Sequence, residues 1–558
     1  MGAPKTDGGV AYFVALTLLL AASLSTFLVA NAYPLISTEA GILLAVCVAA
    51  GGALGIAVVL GARTAAALFL GATAAFCIDL IYRLEGSKVL LVLVPVTCLA
   101  LAWVLRRHIA SVVSVASAVL LVTTLVIPAP GTDDRVRDRR EVKAGAGSAN
   151  GSLPVVLHLV LDEHIGIDGL PAELADSAGL RRWLTDFYVE RGFRLYTGAY
   201  SEYFDTRNSL ANLLNFTSEA DAWAHLVNGE SRPYLLKESA YFRHLLARGY
   251  RLHVYQSDYM DFCRVPGVTY SSCNDYSSRK IGAVYQTNLG ILERAKFIFH
   301  SFFAGSYYIQ KARTVYGTKL RRSFPVLPAW EKVTSRVGPI PVLQVLANLE
   351  SDLRRATRGD AFFAHLLIPH YPYVLDESCR LRSKIDDWLD SAPSVPPREH
   401  ARNTASSRAE RYPRYFAQIR CQQTLLDRLF TAMKEAGVWD DAIVILHGDH
   451  GSRIVENLPL AINSERMTAA DVRDAFSILF AIRSAGQDAA VLRGERRLQG
   501  LLSEALGIPM RESPLKVYLR AEDDTALKPH ELAAFDGGLR AMESERRELS
   551  LGEADARP

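Results

Sequence analysis

Five apolar runs fill the start of this chain, near residues 10–32, 40–60, 64–83, 88–105 and 109–128. Each is about long enough to cross a bilayer core as a helix, which takes roughly 20 residues. Almost no charge interrupts them, so five buried helices of a water-soluble domain are a poor fit. The expected first domain is a five-helix transmembrane bundle over residues 1–128.

Flanking charges set its orientation. Lys5, Arg63, Arg106 and Arg107 fall on one side, and only Arg83 and Lys88 on the other. The basic side is expected to be cytoplasmic, which leaves everything after residue 130 outside. Ala30-Asn31-Ala32 is similar to a signal-peptidase site, but the run before it is longer than a usual signal, so an uncleaved anchor is expected. Asp79, near the outer end of the third run, is either functional or an interfacial carboxylate that snorkels.

The chain is too long for one domain at 558 residues, and a net charge of +3 gives no reason to expect nucleic acid as a partner. Residues 129–152 are charged, then small and polar, and read as a linker. A second domain is expected over 153–540, followed by a charged tail at 541–558. Cys47, Cys77 and Cys98 lie in the apolar runs. The remaining four, Cys263, Cys273, Cys379 and Cys421, would sit in an oxidising compartment, where an even number implies two disulfides. Cys263 with Cys273 is the natural local pair, although three pairings are open.

Two stretches of the second domain, one almost wholly apolar and one unbroken, end in acid. Val155 to Leu161 runs into Asp162-Glu163-His164, and Ile443 to Leu446 runs into His447-Gly448-Asp449-His450-Gly451. Unbroken apolar runs of this length mark strands buried on both faces, and the carboxyl ends of parallel strands share one edge, where open α/β sheets bind ligands. Asp and His together are divalent-metal donors. The plainer reading is a loop Asp-His pair that only makes hydrogen bonds. Thr206, in Asp205-Thr206-Arg207-Asn208 ahead of a helical Leu210, Leu213, Leu214 pattern, stands near a helix N-terminus. It is either a cap or, beside a metal, an activated nucleophile.

Together these segments resemble the alkaline phosphatase/sulfatase superfamily over roughly residues 153–485. LVLDE matches the strand that supplies the first ligand, Asp162; Asp449-His450-Gly451 matches the late ligands; and FFAHLLIPHYPY is similar to the stretch whose His, here His370, contacts the transferred group. The resemblance implies an α/β domain with a mainly parallel central sheet flanked by helices. Thr206 falls where sulfatases carry the cysteine that becomes formylglycine, and threonine cannot be so converted. Threonine is the nucleophile in a membrane-anchored branch that includes phosphoethanolamine transferases and lipoteichoic acid synthases. The chain departs from the pattern in four places, one being that the second His found after Asp-His-Gly in phosphoethanolamine transferases is not evident in SRIVENLPLAINSERM. Leu210 replaces an arginine for which Arg207 is the nearest substitute, Glu163 offers a second acid beside Asp162, and His447 stands where serine is common.

What this implies is a phosphotransferase at the bacterial cytoplasmic membrane, with its outer domain taking a head group from a phospholipid donor to a cell-envelope glycan or lipid. The expected metal set is Asp162, Thr206, Asp449 and His450, with Glu163 as an alternative, holding zinc or manganese ahead of calcium or magnesium. Thr206 is the expected nucleophile, His370 its catalytic partner, and His370, His447 and Arg207 the substrate contacts. A hydrolase with the same site and a non-catalytic membrane scaffold are the competing readings. Residues 291–326 mix Phe297, Phe299, Phe302, Phe303, Tyr307 and Tyr308 with Lys296, Lys311, Arg313, Lys319, Arg321 and Arg322. They read either as an amphipathic segment on the outer leaflet or as helices packed on the sheet. Residues 384–413 read as an exposed insertion.

Overall fold

The computed structural model describes residues 6–82, 84, 87–126, 138–140, 151–174, 176–228, 234–320, 323–324, 326–327, 336–388, 403–510, 515–520, 527–532 and 539–541. Lys5, Arg83, Arg321, Arg322, most of the expected linker, the centre of the expected insertion and all but the first residue of the expected tail lie outside the described residues. The chain divides into two units. One comprises Met1–Arg135, Arg279–Val337 and Leu381–Trp388, and the other Val136–Ser278, Gly338–Arg380 and Leu389–Pro558. The expected second domain, 153–540, is therefore shared between them.

The first unit opens with helices α1 (Thr6–Ala30), α2 (Thr38–Val59), α3 (Arg63–Tyr82), α4 (Lys88–Val104) and α5 (Ile109–Val126). Among the described residues, four of these, all but α4, are long and apolar enough to cross a membrane. The fourth run makes a 17-residue helix with Pro95 inside it. Ser37 caps α2 by accepting from the Ala40 amide, which satisfies one of the N–H groups a helix start leaves open. Small residues let α1 and α2 approach closely. A Cβ on Gly51 would stand 2.7 Å from the Phe13 carbonyl, and one on Gly55 2.8 Å from that of Gly9.

The same unit contains helices Ile291–Ala304 and Tyr307–Val315. They group with the N-terminal helices, not with the sheet. Asp79 is buried and accepts from the Ser306 hydroxyl at 2.7 Å and from the amides of Tyr308 and Leu84 at 3.3 Å. Its carboxylate is therefore bound within the protein and does not snorkel to the interface.

The second unit is built on a nine-stranded sheet: β1 (Asp138–Arg140), β2 (Val156–Leu161), β3 (Arg194–Tyr196), β4 (Arg251–Ser257), β5 (Ser272–Tyr276), β6 (Asp360–Leu366), β7 (Ile443–His447), β8 (Phe480–Arg483) and β9 (Ala490–Leu492). Their spatial order is β1-β5-β4-β6-β2-β7-β8-β3-β9. The central run β5-β4-β6-β2-β7 is parallel throughout, and β1 and β8 run against it. Every residue of β2 and β6 is buried, as their apolar sequences require of strands covered on both faces. One face packs Val156, Val160, Phe363 and Ile445 against helices Thr206–Leu213, Ala240–Ala247 and Leu498–Leu506.

Two sequence expectations change here. Residues 138–140, inside the expected linker, form an edge strand on β5. The second half of the expected insertion begins a 31-residue helix, Ala405–Glu435, capped by Thr404 and carrying Pro413 inside it. Tyr412 and Arg408 of that helix are buried against Asp474, a long-range contact that composition does not show. The cysteines pair as Cys263–Cys273 and Cys379–Cys421.

Candidate active site

The parallel register assembles a row of groups at the carboxyl edge of the sheet. Val160 of β2 lies between His365 of β6 and His447 of β7, and Leu161 lies beside Leu366. Laterally paired residues of parallel strands point to the same face, so Asp162, one step past β2, comes up against His365. His365 Nε2 is 3.0 Å from Asp162 Oδ2. Asp449 reaches the same point from the turn after β7. That turn needs glycine: a Cβ on Gly448 would lie 2.3 Å from the His164 carbonyl oxygen.

Asp449 Oδ1 accepts from the amides of Glu163 and His450, both at 3.0 Å. His450 Nε2 stands 3.7 Å from Asp162 Oδ1 and 3.6 Å from Asp449 Oδ2. Its Nδ1–H donates to the Gly451 carbonyl at 2.8 Å, which leaves Nε2 as an acceptor beside the two carboxylates, here accepting from Arg453 Nη2 at 3.2 Å. Asp162 Oδ1 and Asp449 Oδ2 are buried without a hydrogen-bond partner. A carboxylate oxygen so placed costs free energy unless a cation meets it. Donor atoms from Asp162, His365 and Asp449 all lie within 4.8 Å of one another. This donor set suits a divalent cation.

The Thr206–Leu213 helix delivers the hydroxyl. Its cap is Asp205, whose carboxylate accepts from the Asn208 amide at 3.0 Å. Thr206 is the first helical residue, and its Oγ1 lies 3.4 Å from Asp162 Oδ2. One turn on, the Ser209 hydroxyl donates to the Asp449 carbonyl at 2.7 Å, tying this helix to the turn after β7.

Around this centre, burial raises Asp162, but the imidazoles of His370, His365 and His450 outweigh it and hold the carboxyl below its ordinary range. Glu163 is pushed up by burial to about 7. Its backbone sits at φ 67°, a left-handed position that costs a non-glycine residue roughly 1–2 kcal/mol. The Tyr415 hydroxyl, donating to the Glu163 carbonyl at 2.5 Å, helps hold it there. The Glu163 carboxylate accepts from Tyr371 N, Tyr373 Oη and Arg453 N at 3.1–3.2 Å, which places it as a strut between three loops.

His370 Nε2 lies 4.0 Å from Asp162 Oδ1 and 3.9 Å from Glu163 Oε2. His447 is elsewhere. Its Nε2 accepts from His158 Nε2 at 2.8 Å and its Nδ1 donates to the Gly448 carbonyl, fully buried, with burial holding it down to about 4. Arg207 pairs with Asp205 at 3.9 Å and stands over the Tyr234 ring.

Two residues at this site escaped the sequence reading. His365 sits in FFAHLL, and its signal is a lone imidazole next to the end of a strand that is apolar after Asp360. Arg453 places Nη2 at 3.2 Å from His450 Nε2 and stands over the Tyr371 ring, while its Nε is buried without a partner. Burial works against its charge, but Tyr371, Glu163 and Asp162 outweigh that and keep it protonated.

No protein-family profile matches the chain, and no curated protein sequence matches it. Among solved structures it is similar to the C-terminal periplasmic domain of EcEptC from Escherichia coli in complex with Zn, at 12% identity over 69% of this chain and 93% of that one, with a TM-score of 0.38. It is similar to the phosphonate monoester hydrolase of Agrobacterium radiobacter, at 13% identity over 72% and 94%, TM-score 0.38. It is also similar to the lipoteichoic acid synthase LtaP from Listeria monocytogenes, at 12% identity over 74% and 94%, TM-score 0.36. At identities of 12–13% and TM-scores of 0.36–0.38, these likenesses assign the chain no activity, and the chemistry of the site stands on its own residues.

Proposed function

We propose that the second unit is a metal-dependent phosphotransferase of the alkaline phosphatase/sulfatase type, acting outside the cytoplasmic membrane on a lipid-borne phosphodiester. The observation that carries this reading is the Thr206 hydroxyl at the start of a helix, 3.4 Å from Asp162, beside two buried carboxylate oxygens without partners. Asp162, His365, Asp449 and His450 would hold the ion, zinc or manganese by donor type. When bound, it supplies Lewis acidity that lowers the pKa of a neighbouring hydroxyl and neutralises charge on phosphate oxygens.

The chain's own residues do the rest. Thr206, its hydroxyl proton released to water, attacks phosphorus as the alkoxide from a helix N-terminus, where the macrodipole favours negative charge, and it departs as the alkoxide again in the second step. The bond to the glycerol oxygen breaks, and the His370 imidazolium protonates that oxygen as diacylglycerol leaves. Arg453 meets the non-bridging oxygens with a half-buried guanidinium. A hydroxyl of a glycan or lipid acceptor then gives its proton to His370 and displaces Thr206. Five N-terminal spans with the second unit outside are the topology that fits this supply of lipid.

The test is the intact mass of the full chain in nanodiscs of mixed bacterial phospholipids, with zinc or manganese added. An adduct on Thr206, absent from Thr206→Ala, is expected, and its mass identifies the head group. Lipid cleaved at the same rate without an alcohol acceptor would replace transfer by hydrolysis. Neither adduct nor cleavage would leave the protein a scaffold.

A further inference from the structure

Helices Ile291–Ala304 and Tyr307–Val315 belong to the first unit although they are encoded between two segments of the second. Besides Ile385, Asp386 and Trp388, which Glu293, Lys296 and Phe297 meet, their partners on the N-terminal helices lie at one end of those helices. Phe302 meets Phe27 edge-on at 5.4 Å, and Phe303 stacks on Phe76 at 5.7 Å. Arg294 pairs with buried Glu39. Ser306 and Tyr308 bond to Asp79, and the Tyr308 hydroxyl donates to the Leu91 carbonyl at 3.0 Å. Phe27, Phe76 and Asp79 are near the carboxyl ends of α1 and α3, whereas Glu39 and Leu91 are near the amino ends of α2 and α4.

The depth of this contact can be read from the helices. At 1.5 Å per residue, Phe27 is about 4–5 Å below the end of α1 and Phe76 about 9 Å below the end of α3. An amphipathic helix lying in a bilayer interface is buried by about 5–10 Å. The outer side of the hairpin suits that depth. Leu292 and Phe299 stand two helical turns apart on that side and are 74% and 44% exposed, with Lys296 between them paired to Asp386. Val315 and Leu320 extend the exposed apolar surface, with Lys311 and Lys319 among them. The flanks of the helices it touches, including Val46, Phe69, Leu90 and Val92, are exposed and apolar too.

We infer that residues 291–320 form an interfacial membrane anchor. The hairpin lies in the headgroup layer at the Ala30, Thr38 and Tyr82 ends of the bundle, with Leu292 and Phe299 among acyl chains and Lys311 and Lys319 level with lipid phosphates. Its occupant is the phospholipid monolayer itself. The inference holds whether or not the second unit transfers phosphoryl groups.

The experiment uses the full chain with Cys47, Cys77 and Cys98 replaced by Ala. It is labelled with an environment-sensitive fluorophore at Leu292→Cys, Phe299→Cys, Leu320→Cys or, as a control, Asp440→Cys, whose side chain is exposed in the second unit. Nanodiscs are made of phosphatidylcholine and phosphatidylglycerol with or without bromine on the acyl chains. Brominated lipid should quench the 292, 299 and 320 labels at least about threefold more than the control, with iodide in the water doing the reverse. Labels that iodide reaches as readily as the control would overturn the anchor. Labels shielded from both quenchers would overturn it too, showing protein, such as a second copy, on this face. Leu320 is exposed, so its variant keeps the test valid if substitution at 299 disturbs folding.

Discussion

The Thr206 hydroxyl lies 3.4 Å from Oδ2 of Asp162, while the capping of its helix is done by Asp205. The two tasks that compete for a hydroxyl at a helix start are thus divided between neighbours. Thr206→Ala should abolish transfer, at least about 10³-fold in kcat, as expected for loss of a nucleophile. Thr206→Ser should keep measurable activity. Because the cap survives, the melting temperature of Thr206→Ala should stay close to the parent. A large drop in Tm, or full activity from the alanine variant, would return Thr206 to a structural part.

His365 touches Asp162 at 3.0 Å and contributes to the cluster of donors. His365→Ala should lose bound metal. Elemental analysis of the purified full chain should find it well below the parent, with affinity down at least about tenfold. An unchanged metal content would remove His365 from the ligand set.

Arg453 reaches the donor cluster through His450, whereas Arg207 is engaged with Asp205. Arg453→Ala should lower kcat by about 10²–10³-fold, the range for losing one preorganised donor to a developing charge. Arg207→Ala should act mainly on stability through the Asp205 cap. Steady-state kinetics on both variants decides the assignment, and the opposite order of effects would exchange the two roles.

Asp474 is raised by burial to about 7, from an ordinary 3.8, despite donors from Ser452, Tyr412 and Arg408. The folded state therefore holds this proton where the unfolded chain has lost it. Stability falls as pH rises from about 4 to about 7, by at most about 1.4 kcal/mol per pH unit. Asp474→Asn should flatten that slope, read as Tm against pH. Parallel slopes for parent and variant would show that another group governs the window.

Cys379 and Cys421 are joined across a separation of 42 residues, and Cys263 and Cys273 across 10. In the chain-entropy account the longer loop stabilises more, about 4 kcal/mol against about 3. Replacing Cys379 and Cys421 by serine should lower Tm more than replacing the other pair. A reversed order, measured by thermal melts of the two double variants, would show that loop entropy does not decide which bridge stabilises more.

The parts of the site that were legible in sequence are those at the ends of elements. Asp162 and Asp449 follow largely apolar strands and Thr206 precedes a leucine-spaced helix; pattern places them at element ends, and the family resemblance supplies their roles. His365 was not legible as a ligand because only the register of β6 on β2 brings it beside Val160 and so to Asp162. Arg453 was hidden in a loop whose path depends on the Glu163 strut. For His447 the sequence offers either a substrate contact or a structural residue of the turn, and strand pairing turns it toward His158 as the latter. The 291–315 hairpin left both readings open, since its aromatic and basic residues suit a sheet or a membrane surface. Contacts with Phe27, Phe76 and Asp79, more than two hundred residues away, put it on the N-terminal helices and not on the sheet.

The chain passes between its two units five times, at residues 135, 278, 337, 380 and 388. No single cut can release the sheet-bearing half intact. A truncation starting after α5 would keep Phe302 and Phe303 while removing Phe27 and Phe76, their ring partners, and would be prone to aggregate through that uncovered face. Recombination meets the same obstacle: the membrane half cannot be exchanged for another anchor by swapping one continuous stretch of gene, so the two halves are expected to be inherited together.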